Sequence, residues 1–375
     1  MIRVVEAITD TNIGGAGRLL LNRIKNSDKS KFEYIVVLPK RSALIPLLEK
    51  AKINFFVIDG GYDKSFDLKG FVGFYNTFKK LKPDIINAHG ALSARLAGKC
   101  VGASVNLYTR HCDFKTSKLY QSWFVRVNVR MLTDFLSDGI IAVSFSARDN
   151  LFRMGVSPKR IKVIINGVEP LPEASNEDKK HLRFQLNIPN DSYVVSIFAR
   201  LEKYKDHETF LKAARELLKE NDCYFLIVGC GAEEENLKIS SHKLGIEEKV
   251  RFIGFVQDVS PYMNITDVNV NCSIGTETSS LALSEGMSLG IPAVASDYSG
   301  NIYMVHDHEN GLIYHQQDYE SLASKINTLL NDRELYSLLS KNAKERYNTE
   351  LNAKRTARLT EEYYVEILNK KGYSK

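Results

Sequence analysis

Asp267-Val268-Asn269-Val270-Asn271-Cys272-Ser273-Ile274-Gly275-Thr276-Glu277-Thr278-Ser279-Ser280-Leu281-Ala282-Leu283-Ser284-Glu285-Gly286-Met287-Ser288-Leu289-Gly290-Ile291-Pro292-Ala293-Val294-Ala295-Ser296-Asp297 reads as one βαβ crossover. Val268 and Val270 alternate with asparagines, the period of a short strand. Ser273 to Ser279 is small and polar, a loop. Ser279 or Ser280 can cap a helix that ends at Gly290. Pro292 to Ser296 opens the next strand.

Two carboxylates stand in this unit with seven residues between them. Glu277 falls in the loop above the strand's carboxyl end, and Glu285 more than a turn into the helix. Open α/β sheets bind ligands at that end. The loop's unpaired amides and the helix N-terminus favour anionic or hydroxyl-rich ligands. Taken alone, the two glutamates also read as a loop charge and a solvated helix residue.

The same alternation extends over the chain. Strands are expected at Arg3 to Ala7, Tyr34 to Leu38, Phe55 to Ile58, Ile85 to Ala88, Val105 to Thr109, Gly139 to Val143 and Lys162 to Ile165. Others are expected at Val194 to Phe198, Tyr224 to Val228, Val250 to Ile253 and Gly311 to Tyr314. Helical stretches lie between most of them, which implies parallel doubly wound sheets. Asn166-Gly167, Pro170, Pro172 and the charged run Glu173 to Lys180 read as a turn and linker. The expected domains are residues 1–170 and 171–350, with a C-terminal helix over 351–375 crossing back to the first.

Several residues fall at strand ends. Asn12-Ile13-Gly14-Gly15-Ala16-Gly17 is a glycine turn entering a helix; Gly14 and Gly15 let the backbone approach a phosphate. His89 ends one strand and His111 follows another, although a lone histidine is more often structural. Arg200 follows a strand, and Lys205 comes five residues later, just before a helix. A guanidinium and an ammonium suit a diphosphate. Cations near a helix start face an unfavourable dipole unless an anion offsets it.

Glu277, Glu285 and the following Gly286-Met287-Ser288-Leu289-Gly290-Ile291-Pro292-Ala293-Val294 resemble the signature of family four of the retaining glycosyltransferases. Ala199-Arg200-Leu201, three residues, then Lys205-Asp206 resembles that family's Gly-Arg-Leu…Lys-Gly, with both cations kept and both glycines replaced. Thr278-Ser279-Ser280 stands where the family usually has Gly-Phe-Gly. The resemblance implies the GT-B architecture: two facing Rossmann-like domains with the active site in the cleft. It implies transfer of a sugar, with retention, from a nucleoside diphosphate sugar, a UDP-sugar foremost, to a hydroxyl of a glycan or lipid-linked acceptor. Cell-surface polysaccharide or glycolipid synthesis is the implied setting.

The resemblance also implies residue roles. Arg200 and Lys205 neutralise the diphosphate, Glu277 meets the sugar hydroxyls and Glu285 the ribose. Gly14 and Gly15 lie over the phosphates, and Val256, Ser280 and Leu281 complete the donor site. His111 orients the sugar or stabilises its anomeric charge through its carbonyl. A non-catalytic nucleotide-sugar-binding subunit and an epimerase of the same architecture are the alternatives.

With 375 residues, 44% hydrophobic and 26% charged, the chain reads as an ordinary globular protein of two domains. A net charge of +6 fits an anionic substrate or membrane surface and is too small to argue nucleic acid. Five cysteines without CxxC spacing suggest a reducing compartment with no structural zinc. No metal and no cofactor are expected. Met1-Ile2-Arg3-Val4-Val5-Glu6 meets charge too early for a signal peptide, and no apolar run reaches membrane-span length. The expected location is cytoplasmic, with a peripheral place on the inner face of the cytoplasmic membrane as a further expectation. That expectation rests on Lys115 to Ser137, a helical stretch holding Lys118, Tyr120, Trp123, Phe124, Arg126 and Arg130. It reads either as a basic, aromatic membrane face or as a core helix with solvated cations.

Overall fold

A computed structural model describes residues 1–12, 14–113, 117–275 and 277–373. Ile13 of the glycine turn and Lys115 of the basic stretch lie outside the described residues, as do Phe114, Thr116, Thr276, Ser374 and Lys375. The chain divides into two compact units, Met1–Gly167 with Ala353–Lys375, and Val168–Asn352.

The first unit holds β1 (Ile2–Ile8), β2 (Phe32–Pro39), β3 (Asn54–Ile58), β4 (Ile85–His89), β5 (Val105–Arg110), β6 (Gly139–Ala142) and β7 (Ile161–Val163). They form one parallel sheet in the order β3-β2-β1-β4-β5-β6-β7. The second unit holds β8 (Tyr193–Phe198), β9 (Cys223–Val228), β10 (Val250–Gly254), β11 (Val268–Asn271), β12 (Ala293–Ser296) and β13 (Gly311–Tyr314). Their order is β10-β9-β8-β11-β12-β13, again all parallel. Each sheet is a doubly wound, Rossmann-like sheet. In each, the winding reverses beside the first strand, between β1 and β4 and between β8 and β11. These are the switch points where such sheets take ligands.

Strands covered on both faces read as near-continuous apolar runs. Val4 and Ile8 pack into one core of the first unit, and Val5 and Ala7 into the core on the sheet's other side. The C-terminal helix Ala353–Lys370 packs beside the helix Gly15–Lys25 and sends Tyr363, Tyr364, Ile367 and Leu368 into the first of these cores. In the second unit Val195, Ile197, Phe225 and Ile227 share one core, and Val194, Leu226 and Val228 the opposite one.

Two expectations need correction. The charged run after Pro172 is not linker throughout: Asn176–Gln185 is a helix. Ser175 caps it, with Oγ accepting from the amide of Asp178 at 3.1 Å, and Glu177 and Asp178 suit its first turn. No residue of that helix is fully buried, which is why it reads as linker. The core-helix reading of 115–137 also fails. A 3-10 turn at Lys118–Gln121 precedes the helix Trp123–Leu136, which buries only Thr133 and Leu136. Trp123, Phe124, Met131, Leu132 and Phe135 are exposed, Trp123 to 77%.

Candidate active site

In the second unit the segments after β8 and β11 emerge side by side, because those strands are paired. Arg200 and Lys205 follow β8, and Glu277 follows β11. The two segments are tied where the amide of Ile274 donates to the carbonyl of Tyr204 at 2.9 Å. Arg200 is exposed, bonds the Tyr204 hydroxyl through its guanidinium and lies over that ring at 5.8 Å. The Lys205 ammonium lies 5.6 Å from the same ring centroid.

Glycines shape this corner. Gly229 and Gly231, after β9, press on the backbone of Ala199 to Leu201 so closely that a Cβ at either would overlap it. Gly229 also holds φ +148°, a conformation side-chain-bearing residues avoid. The amide of Leu201 donates to the Cys230 carbonyl at 3.0 Å, which fixes the turn that carries Arg200.

Glu277 is the most enclosed carboxylate here, 6% exposed. Its Oε2 meets the Lys205 ammonium at 2.5 Å, the Ser273 hydroxyl at 3.0 Å and the Asn271 amide at 3.3 Å. All three donors converge on one oxygen, and Oε1 keeps its own acceptor capacity. Burial opposes ionisation, but the Lys205 charge and these hydrogen bonds outweigh it and hold the carboxyl below the usual carboxylate range. The loop is braced from beneath: Ser296 donates to the Ser273 carbonyl at 2.6 Å, and Asn301 donates to Asn271 at 3.3 Å.

Of the two candidate caps the structure uses Ser280, whose Oγ accepts from the amide of Leu283 at 3.4 Å, on the helix Leu281–Ser288. Leu281 and Glu285 lie partly buried on this helix. A Cβ on Gly286 would stand 2.6 Å from the side chain of Asn269, so glycine after Glu285 lets the helix lie directly on β11. Val256, just beyond β10, packs against the core of Val194, Leu226 and Val228.

In the first unit Gly14 caps the helix Gly15–Lys25 in extended conformation, φ −89° and ψ 179°. Its backbone does not demand glycine, and among the described residues a Cβ would meet only the Asp10 carboxylate, at 3.9 Å. His89 and His111 are brought together, His89 Nδ1 lying 2.6 Å from His111 Nε2. Burial, with His89 and Arg23 nearby, pushes the His111 imidazole well below its usual pKa.

The sequence reading misses several members. Tyr204, Asn271, Ser273 and Asn301 are small or common polar residues with no spacing that marks them. Glu6, Arg23, Asn87 and Tyr364 form a buried polar cluster beneath His89. A signal for Glu6 exists, since a glutamate between Val4-Val5 and Ala7-Ile8 in a central strand must be buried and paired.

Two doubly wound parallel sheets in two units, each with polar side chains gathered at its switch point, define a GT-B protein. A family model described as "Glycosyl transferases group 1" matches residues 178–346, and one described as "Glycosyltransferase Family 4" matches residues 13–170. Between them they span most of the chain, which belongs to the glycosyltransferases of the GT-B fold. The chain is similar to a UDP-Gal:alpha-D-GlcNAc-diphosphoundecaprenol alpha-1,3-galactosyltransferase of Escherichia coli, 25% identical over 96% of this chain and 95% of that one. It is similar also to an alpha-monoglucosyldiacylglycerol synthase of Streptococcus pneumoniae, 26% identical over 68% of this chain and 60% of that one. Among solved structures, Anabaena Alr3699/HepE in complex with UDP superposes with a TM-score of 0.83 at 23% identity, over 98% of this chain and all of that one.

Proposed function

We propose that this glycosyltransferase moves a hexose, with retention of configuration, from a UDP-sugar to a hydroxyl of a lipid-linked or glycan acceptor in cell-surface polysaccharide or glycolipid synthesis. The carrying observation is the cluster of Arg200, Lys205 and Glu277 at the β8/β11 switch point. Two cations side by side suit a leaving diphosphate, whose charge grows in the transition state. An ionised Glu277 anchored through Oε2 can accept from sugar hydroxyls through Oε1. Glu285 is the proposed ribose contact; Val256, Ser280 and Leu281 are proposed to line the donor. Gly14, Gly15 and His111 are the proposed contributions of the first unit. The open space at Gly14 among the described residues supports that role. The relatives with UDP-Gal and UDP in their names support uridine as the nucleoside.

Transfer is proposed to run without a divalent metal, Arg200 and Lys205 supplying the positive charge. The exposed face of Trp123–Leu136 is the proposed contact with anionic lipid on the inner face of the cytoplasmic membrane. Phe124, Met131, Leu132 and Phe135 share one side of that helix, while Arg126 and Arg130 are exposed on its other side and Lys118 on the turn before it. Among the described residues no helix is long and apolar enough to cross a membrane.

The test is a panel of UDP-, GDP- and ADP-sugars scored by protection against unfolding, where a ligand at 100 times its Kd adds about 2.7 kcal/mol. The best donor is then carried, with excess chelator, into product analysis on a lipid extract. A labelled glycolipid in the α configuration supports the proposal. Protection by no nucleotide sugar, or loss of activity that Mg²⁺ or Mn²⁺ restores, contradicts it.

A further inference from the structure

Glu6 is fully buried in the middle of β1, beneath the helices Gly15–Lys25 and Ala353–Lys370. Its Oε1 pairs with the Arg23 guanidinium at 2.7 Å and accepts from the Tyr364 hydroxyl at 2.9 Å. Its Oε2 accepts from Asn87 at 3.0 Å and lies 2.8 Å from His89 Nε2. Burial disfavours the charge, yet Arg23 and His89 bring the carboxyl down to about 2. An apolar side chain would serve stability as well as a buried ion pair does. What a carboxylate does here that an apolar group cannot is dictate where protons sit.

An ionised carboxylate only accepts, so His89 Nε2 carries a hydrogen. In a neutral imidazole the other nitrogen then accepts, and His89 Nδ1 faces His111 Nε2 at 2.6 Å. With His89 neutral, His111 Nε2 donates and the lone pair of His111 stays on Nδ1; a charged His89 would reverse the pair. The two rings lie 4.9 Å apart by centroid and 23° from parallel. All members point to one side of the sheet: Glu6 and Asn87 are register partners across β1 and β4, and His89 and Thr109 across β4 and β5. Thr109 donates to Asn87 at 2.8 Å, which turns the Asn87 amide toward Glu6. The charged and titratable groups facing the histidines are Glu6, Asp10, Arg23 and Tyr364, with Tyr34 and Glu361 behind Arg23. A small cavity of about 30 Å³, room for about one water, borders both imidazoles.

We propose that Glu6, acting through His89, is a positioning residue for sugar transfer, holding His111 uncharged, in its Nε2–H tautomer and in one ring orientation. This rests on the reading that His111 lies at the transferred sugar. There an imidazolium would repel the positive charge that grows on the anomeric carbon, and a loose ring would misplace the backbone that carries it. The relay prevents both. It moves no bond of the substrate.

The test is nitrogen NMR of the full chain with ¹⁵N-labelled histidine, followed by kinetics of His89→Phe, which keeps the ring's bulk and leaves Glu6 with Arg23, Tyr364 and Asn87. The wild type should show His111 protonated on Nε2 alone across pH 6–8. His89→Phe should scramble that tautomer and lower kcat roughly ten-fold, the cost of a misplaced group, with donor KM unchanged and stability lowered by no more than the loss of its buried hydrogen bonds. A protonated Nδ1 on wild-type His111 at pH 7, or a His89→Phe enzyme with wild-type kcat, overturns the inference. The NMR result needs no donor, so it stands or falls apart from the donor reading.

Discussion

Lys205 and Glu277 form one ion pair, Nζ to Oε2 at 2.5 Å, across the β8/β11 switch point, with both side chains largely enclosed. The two residues are therefore one device: the cation proposed to meet a diphosphate also keeps the Glu277 carboxylate ionised. Removing the carboxylate should separate the functions. Glu277→Gln frees the Lys205 charge, so affinity for UDP alone should hold or rise. Turnover should fall about ten- to a hundred-fold, since a hydrogen bond to a charged group contributes roughly 1.5–3 kcal/mol. Calorimetry with UDP beside steady-state kinetics checks this. Parallel loss of both would mean that Glu277 serves the diphosphate itself.

Gly231 should matter through Arg200. Its Cβ would overlap the Leu201 carbonyl, so Gly231→Ala must push the Arg200 turn away from its place. Overpacking of this kind costs roughly 1–3 kcal/mol, and transfer should drop more than stability does. Gly245→Ala is the control: φ is +67° there but nothing lies within 4 Å, so stability alone should fall. Equal activity in the two variants would contradict the role given to the 229–231 turn.

Stability should decline from pH 8 to pH 5 because of His207. That side chain is 2% exposed and begins a helix. Burial and the nearby Lys205 lower it from 6.5 to about 4. The unfolded chain thus takes up the proton first, and stability is full above 6.5 and lost as pH falls toward 4. Between pH 8 and pH 5 the loss is about 2 kcal/mol at 1.36 kcal/mol per pH decade. Glu6, lowered from 4.5 to about 2, loses its contribution only as pH falls below 4.5, so this window is left to the histidines. Urea titrations of wild type and His207→Leu measure it. The variant should lose the share that His207 contributes and keep that of the buried His111; an unchanged slope assigns it elsewhere.

Trp123 is the chain's one tryptophan and is 77% exposed, so it reports directly on the helix it starts. Vesicles with anionic lipid should shift its emission to the blue, and neutral vesicles should not. Arg126→Glu with Arg130→Glu should abolish the shift. Emission indifferent to lipid charge would leave that face to another role.

The parallel sheets are legible because strands buried on both faces leave long apolar runs, as in Ile35 to Leu38 and Phe225 to Val228. Their ends differ mostly by a residue or two, where polar ends such as Asn54 and Arg110 still pair. Asn176–Gln185 hides because a helix without a buried stripe has no period to read. Arg200, Lys205, Glu277 and Glu285 are legible as charges at strand and helix ends. The bracing around them is not: Asn271 and Ser273 reach Glu277 through a loop fold that no spacing marks, and Asn301 and Ser296 brace that loop from a segment 23 to 30 residues on. Glu6 is the instructive miss, since its charge is visible but its partners, Arg23 and Tyr364, come from opposite ends of the chain.

Arg200 and Lys205 are proposed to hold the leaving diphosphate. Steady-state kinetics of Arg200→Ala and Lys205→Ala, with the donor identified by the nucleotide-sugar panel and melting temperature as control, test it most directly. Each variant should lose about ten- to a hundred-fold in kcat/KM. For Lys205→Ala, kcat should fall at least as much as donor affinity, because the diphosphate gains charge in the transition state. Melting temperatures should stay close to wild type for Arg200→Ala, whose side chain is exposed. Full activity in both variants would contradict the account and put the diphosphate elsewhere.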